Sequence, residues 1–195
     1  MTLYEKHVQR WGHCKLCALH HSRTNVVLAR GNVPCDVLFI GEAPGKSEDV
    51  LGMPMVGPAG HLLDHIIGQA MGDKTISYAI TNIVACIPLG DDGEKTAEPP
   101  LTAIKACAPR LVEFVRLCRP KLIVRVGLLA KRHVTGQAQF STQADGGLSW
   151  LPVGETLKFC DLVHPAAILR ADISQRGLAI QRGIVTLQNE IEEIG

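Results

Sequence analysis

Residues 37–60 read VLFIGEAPGKSEDVLGMPMVGPAG, and this stretch decides the fold. The apolar run over residues 37–40 is typical of a buried strand, and a loop rich in glycine and proline follows it directly. Gly41 and Gly45 allow the backbone to approach a ligand closely, and Pro44 stiffens the turn. The phosphate-loop pattern GxxxxGK(S/T) and the dinucleotide pattern GxGxxG are both absent. The stretch therefore predicts a strand followed by a ligand-binding loop of another kind.

Strand-like and helix-like segments alternate along the rest of the chain. Short apolar or alternating runs predict four strands, at residues 36–40, 77–85, 122–126 and 157–163. Apolar residues on one helical face predict helices at residues 57–71, 100–117 and 128–134, and a C-terminal helix with Ile180, Ile184, Leu187, Ile191 and Ile194 inward. Residues 1–34 form a lead-in that contains a helix, and residues 136–150 are expected to be a loop or an edge hairpin.

This alternation predicts an α/β fold, a three-layer α/β/α sandwich with a central four-stranded, mostly parallel sheet. We expect one domain over residues 1–195, because the sequence contains neither an internal repeat nor a linker. The chemically interesting residues follow strand ends, where open α/β sheets bind their ligands.

Composition narrows the possible functions. The formal net charge is +1, which excludes a broadly basic DNA-coating protein but allows a local basic groove. The N-terminal sequence has no signal-peptide pattern and no run is long enough for a membrane span, so we expect an intracellular protein without membrane contact. Seven cysteines would then be reduced rather than paired in disulfides.

The cysteine pattern indicates a metal centre. Cys14 and Cys17 form a CxxC pair, and Cys86 and Cys107 are available as two further thiolates. Four thiolates suit either zinc or an iron–sulfur cluster, and spacing alone favours zinc. The alternative is that these are ordinary buried cysteines. That alternative is preferred for three others, Cys35, Cys118 and Cys160.

Three ordered motifs resemble those of the family 4 uracil-DNA glycosylases, the iron–sulfur branch of the uracil-DNA glycosylase superfamily. The first motif is residues 41–60, which begin with GEAPG. The second is TNIVAC at residues 81–86, and the third is HPAAILR at residues 164–170. Cys14 and Cys17 match the N-terminal cluster ligands of that family. The likeness runs from about residue 14 to about residue 187, nearly the whole chain.

The resemblance implies a monomeric repair enzyme that removes uracil from single- or double-stranded DNA and leaves an abasic site. It also implies a structural 4Fe–4S cluster, which the N-terminal segment would help to bind. The implied ligands are Cys14, Cys17, Cys86 and Cys107. Cys118 is a rival for the fourth position, because the loop between Cys86 and Cys107 is longer than the family pattern.

The resemblance also implies catalytic roles. Asn82 would read the edge of the extruded uracil, because an amide supplies a donor and an acceptor in one plane. His164 would donate to the negative charge that develops on the departing base. Ala43 stands where stronger superfamily members have an Asp that positions water, so Glu42 is the candidate for that role. The base pocket would be lined by Gly41, Ala43, Pro44, Gly45, Met55 and Asn82.

The segment after His164 is expected to meet DNA. Ala167, Ile168 and Leu169 are candidate wedges for the minor groove, and Arg170 would meet a phosphate or fill the vacated stack. The alternative is an ordinary helix start that packs Ile168 and Leu169 into the core.

One departure from the family concerns the base pocket. The family's Arg-Pro-Phe-Val segment is replaced by MPMV at residues 53–56, so Met55 stands where a phenylalanine ring stacks on the base. A thioether still packs on a ring but is less preorganised, which predicts weaker base binding or an altered base range. Two other readings remain open: a relative that binds damaged DNA without turnover, and a metal-binding α/β protein with an unrelated small-molecule site.

Overall fold

A central sheet with helices on both faces forms the frame of the molecule. The computed structural model describes residues 1–90, 92–94, 96–135, 148–149 and 157–194. Its strands are β1 (Ala29–Gly31), β2 (Val37–Gly41), β3 (Tyr78–Asn82), β4 (Leu122–Val126), β5 (Val134–Thr135), β6 (Leu148–Ser149) and β7 (Lys158–Leu162). Its α-helices are α1 (Leu3–Trp11), α2 (Lys46–Leu51), α3 (Pro58–Met71), α4 (Leu101–Cys118), α5 (Leu128–His133), α6 (Pro165–Arg170) and α7 (Ile173–Glu192), and a 3₁₀ turn covers Ala18–His21.

The sheet has five strands in the order β1-β3-β2-β4-β7, and the prediction of four strands was therefore wrong by one. The four predicted strands are present and pair in parallel, whereas β1 pairs antiparallel with β3 at the edge. The strand predicted over residues 77–85 ends at Asn82. Most of the predicted loop at 136–150 lies outside the described residues, and β6 pairs in parallel with β5.

Side chains alternate between the two faces of the sheet and build two cores. Leu38, Ile40 and Ile123 pack in one core with residues of α4 and α5. Phe39 and Val124 pack in the other core with residues of α3, α6 and α7. β2 is buried over all of its residues, as expected for a central parallel strand covered on both sides. The three-layer α/β/α sandwich is confirmed.

The parallel register brings four strand ends to one edge of the sheet. β2 and β3 end together, because Gly41 pairs with Asn82. β4 and β7 also end together, with Val126 opposite Leu162, and the next residues include Gly127 and His164. Among the described residues, no helix is both long enough and apolar enough to cross a membrane.

Candidate functional site

Asn82 lies at this edge with its side-chain oxygen unsatisfied. The residue is 1% exposed, and no described group bonds to its Oδ1. A Cβ atom built on Gly41 would lie 2.4 Å from Oδ1 and 2.7 Å from the Cε of Met55. Any side chain at position 41 would therefore displace Asn82 Oδ1 or the end of Met55. An unsatisfied buried amide is costly, so the arrangement is that of a site awaiting a hydrogen-bond donor.

His164 is held in one neutral form by its own helix. It is the N-cap of α6, and its Nδ1 accepts a hydrogen bond of 3.2 Å from the Ala166 N–H. The proton of the neutral ring is therefore on Nε2, which is free to donate. Burial lowers the pKa of His164, and the charge of Arg170 lowers it further, while Glu48 opposes both. The ring is thus an uncharged donor at neutral pH.

Gly127, directly after β4, leaves room for the imidazole, and the sequence analysis missed it. Its φ is 96°, a value that few residues other than glycine adopt. A Cβ atom there would lie 3.1 Å from the Cβ and 3.2 Å from the Cδ2 of His164. Its position directly after an apolar run, like that of Gly41 after residues 37–40, is the sequence signal that could have identified it.

Glu42 lies in the same electrostatic environment as His164. It is half-buried, and its pKa is raised first by burial and then by the nearby charge of Glu98. Arg170 lowers the pKa of Glu42 and also that of His164. The structure thus brings the two predicted residues Glu42 and His164 within the influence of one cation, Arg170.

The loop after β2 is braced from inside by Glu48. Its Oε2 accepts from the Gly45 N–H at 3.0 Å, and its Oε1 accepts from the N–H groups of Val56 at 2.9 Å and Gly57 at 2.8 Å. This bracing limits which backbone N–H groups of the predicted ligand-binding loop can meet a ligand. Gly45 has its N–H engaged, and Pro44 has none, so the backbone donors of this loop that remain open in the described structure are near Glu42 and Ala43.

Met55 is held in place through its backbone. Its φ is 54°, and the residue is 5% exposed. Arg30 donates to the Met55 carbonyl at 3.2 Å and to the Pro54 carbonyl at 2.9 Å, and it forms an ion pair of 2.6 Å with Asp64. Arg30 is a second supporting residue that the sequence analysis missed. Because Arg30 fixes the backbone of Met55, the Met55 side chain is directed toward Gly41 and Asn82.

Helix α6 presents only part of the predicted DNA-contacting segment. Ala167 and Arg170 are exposed and Leu169 is partly exposed. Ile168, in contrast, is 3% exposed and packs in the core that contains α3 and α7. The assignment of Ile168 to the DNA surface is therefore corrected, because a side chain inside the core cannot contact DNA.

The four predicted cysteine ligands lie around one pocket. Cys14, Cys17, Cys86 and Cys107 line it together with apolar groups and Arg23. The Nη1 atom of Arg23 lies 3.3 Å from the Sγ atom of Cys86. Burial raises the pKa of the Cys86 thiol to about 11 and also raises that of Cys17. No three described His, Cys, Asp or Glu side chains are arranged to hold a single metal ion.

Cys118 does not reach this pocket. It is fully buried in the core, and a hydrogen bond with Cys35 is the first cause of the raised pKa of its thiol. Cys35 and Cys160 are also buried, as expected for apolar cysteines. The candidacy of Cys118 as the fourth ligand is therefore wrong.

Comparison with known proteins agrees with this geometry. Residues 28–182 match the family model of the uracil DNA glycosylase superfamily. The chain belongs to that superfamily, on its type-4 branch. Gly41, Asn82 and His164 all lie within the matched residues, whereas Cys14 and Cys17 precede them.

Several relatives are named type-4 uracil-DNA glycosylase. The one from Saccharolobus solfataricus is 32% identical over 161 residues, which are 80% of this chain and 72% of that protein. The one from Pyrobaculum aerophilum is 31% identical over 162 residues, 80% of each chain. The one from Thermotoga maritima is 35% identical over 159 residues, 80% of this chain and 78% of that protein.

Proposed function

We propose that this superfamily member hydrolyses the N-glycosidic bond of deoxyuridine in DNA and leaves an abasic site. The observation that carries the proposal is the buried Asn82 amide, with an unsatisfied oxygen, at the same sheet edge as a neutral His164. The type-4 relatives support the choice of uracil.

Asn82 would recognise the base after it leaves the DNA stack. Its Oδ1 would accept from the uracil N3–H, and its Nδ2 would donate to the uracil O4. Cytosine reverses both positions, because its N3 accepts and its exocyclic amine donates. With cytosine, the Asn82 Oδ1 would face the acceptor N3 and the Nδ2 would face the amine donor, so neither hydrogen bond could form. Each such mismatch is costly in a buried site. Met55 would pack against the face of the base.

His164 would stabilise the leaving group. Cleavage of the bond gives the sugar oxocarbenium character and places negative charge on the base. The Nε2–H of His164 would donate to uracil O2, and a neutral donor does this without needing a solution proton. The Ala166 N–H sets the orientation of the ring, and the absence of a side chain at Gly127 leaves room for it, so little reorganisation is required.

Glu42 would act on the attacking water and on the sugar. An ionised carboxylate there would orient the attacking water and favour the cationic sugar. The N–H groups near Glu42 and Ala43 would bind a carbonyl oxygen of the base. The exposed residues of α6, Ala167, Leu169 and Arg170, would contact the DNA around the extruded nucleotide.

We further propose that Cys14, Cys17, Cys86 and Cys107 hold a 4Fe–4S cluster. Four thiols around one pocket, with apolar neighbours and the Arg23 guanidinium beside Cys86, fit the donor set and charge of such a cluster. The cluster would supply structure rather than reaction chemistry. It would fasten the segment containing Cys14 and Cys17 to the chain around Cys86 and to α4.

The test is alkali cleavage of a labelled oligonucleotide that contains one uracil, in single- and double-stranded form. We expect cleavage at uracil by the wild type, and a loss of about 10²–10³-fold for Asn82→Ala and for His164→Ala. Asn189→Ala and His61→Ala are matched exposed controls that should keep full activity.

Two results would reject this function. Binding of the uracil oligonucleotide without formation of abasic sites would indicate a damage-binding relative. The absence of both binding and cleavage, with zinc rather than iron in the purified protein, would favour a metal-binding protein with an unrelated ligand.

A further inference from the structure

A buried arginine connects the cysteine pocket with Asn82. Arg110 is 1% exposed and is the largest fully buried side chain among the described residues. It lies in α4 three residues after Cys107, so the two share one helix face. Arg110 also lines the pocket together with the four cysteines. One side chain thus borders both the cysteine pocket and the end of β3.

The guanidinium of Arg110 fixes three consecutive residues there. Its Nη1 donates to Thr81 Oγ1 at 2.9 Å, and its Nη2 donates to the carbonyls of Asn82 and Ile83, the latter at 2.9 Å. The Thr81 hydroxyl donates onward to the Leu28 carbonyl at 2.6 Å. The planar fork therefore sets the backbone position from which the Asn82 side chain projects.

The charge of Arg110 lacks a partner within the described protein. All three acceptors are neutral, and its Nε–H is buried without a hydrogen-bond partner among the described groups. None of the ion pairs among the described residues includes Arg110, and Glu113 on the same helix pairs with His7 and Arg10 instead. A buried guanidinium without a counter-charge is strongly unfavourable. The four thiolates of a bound cluster would place net negative charge in the pocket that Arg110 lines.

We infer that Arg110 is a positioning residue that makes the geometry of Asn82 depend on an occupied cysteine pocket. The inference rests on the proposed function. With the cluster present, the charge of Arg110 is compensated and its fork holds residues 81–83. Without the cluster, the buried cation is drawn toward solvent, and the end of β3 loses its three hydrogen bonds.

Hydrogen exchange reports this coupling independently of catalysis. The N–H of Ile83 donates to the Gly41 carbonyl at 2.9 Å, and the N–H of Val84 donates to the Glu42 carbonyl at 3.2 Å. In the wild type, removal of the cluster with a chelator should accelerate exchange of both amides at least tenfold. Amides in the middle of β4 should be protected as before.

Variants of Arg110 test the residue itself. Arg110→Met keeps a long side chain but removes the charge. The variant should lose its cluster to a chelator at least tenfold faster than the wild type. Its Ile83 and Val84 amides should exchange hydrogen faster, and its kcat should be lower. Arg110→Lys keeps the charge, so it should retain the cluster while still exchanging faster. Arg116→Met, exposed on the same helix, is the matched control and should behave as the wild type.

The outcomes separate the two proposals. A wild type without uracil excision rejects the proposed function, and a wild type without iron rejects the proposed cluster, whatever the variants do. A wild type with both, and an Arg110→Met variant with unchanged cluster loss and exchange, rejects only the coupling. If Arg110→Met does not fold, the wild type alone provides the test. Unchanged hydrogen exchange at Ile83 and Val84 after chelator treatment would then reject the coupling.

Discussion

At the scale of single residues, the environment of Glu42 sets the pH range in which the proposed reaction can run. Burial and the charge of Glu98 both raise the pKa of Glu42, and Arg170 only partly offsets them. The role proposed for Glu42 requires its carboxylate in the ionised form, which is present above that pKa. Activity should therefore fall as the pH drops through the raised value.

Glu98→Gln should move this acidic limb to lower pH. The substitution removes a like charge, so the pKa of Glu42 falls and the carboxylate stays ionised in more acidic solution. The Glu98 side chain is 68% exposed, so the displacement should shrink as salt is added. The measurement is the single-turnover rate of uracil excision at about ten pH values between roughly pH 4 and pH 8.

Glu94→Gln, an exposed change in the same loop, is the control and should leave the limb in place. Identical acidic limbs for the wild type and Glu98→Gln would contradict the assignment to Glu42. The test separates Glu42 from His164, because the charges that act on His164 are those of Arg170 and Glu48.

At the scale of elements, Glu48 joins Gly45, directly before α2, to Val56 and Gly57, directly before α3. Glu48→Gln should destabilise the protein, because an amide cannot accept at both of its ends from the N–H groups of Gly45, Val56 and Gly57. The expected loss is about 1–3 kcal/mol, which corresponds to a Tm lower by roughly 5 °C. Thermal unfolding followed by circular dichroism measures it.

Glu192→Gln is the comparison for this variant, since it removes an exposed carboxylate that forms an ion pair with Lys74. It should change stability by no more than about 0.5 kcal/mol. Equal melting temperatures for the two variants would show that the contacts of Glu48 with the loop contribute little.

The elements that sequence could not predict are those without a local pattern. β1 consists of Ala29–Gly31, which is too short to show alternation, and it is defined only by its pairing with β3. β3 ends at Asn82, where its pairing with Gly41 of β2 also ends, although apolar residues continue along the chain. Tertiary pairing thus decided both the edge of the sheet and the length of its strand.

At the scale of the whole molecule, the candidate site residues could be predicted from local sequence, whereas the residues that hold them in place could not. Asn82 and His164 could be proposed from sequence, because motif position and side-chain chemistry both indicated them. Arg30 and Arg110 could not, because each acts on a segment distant in the chain through contacts that only the folded structure reveals. Ile168 was misplaced for a related reason, since a short helix gives no signal of which side faces the core.

The distribution of the cysteines over the molecule leads to a final prediction. Cys107→Ala removes a thiol from the pocket shared with Cys14, Cys17 and Cys86, whereas Cys118→Ala removes one from the core near Cys35. Both variants should be less stable than the wild type, but only Cys107→Ala should lose iron. The reason is that Cys118→Ala creates a cavity in the core without altering the proposed ligand set, at a cost of about 1–3 kcal/mol. Iron content and visible absorption of the purified variants decide the matter, and loss of iron from Cys118→Ala with retention in Cys107→Ala would reverse the ligand assignment.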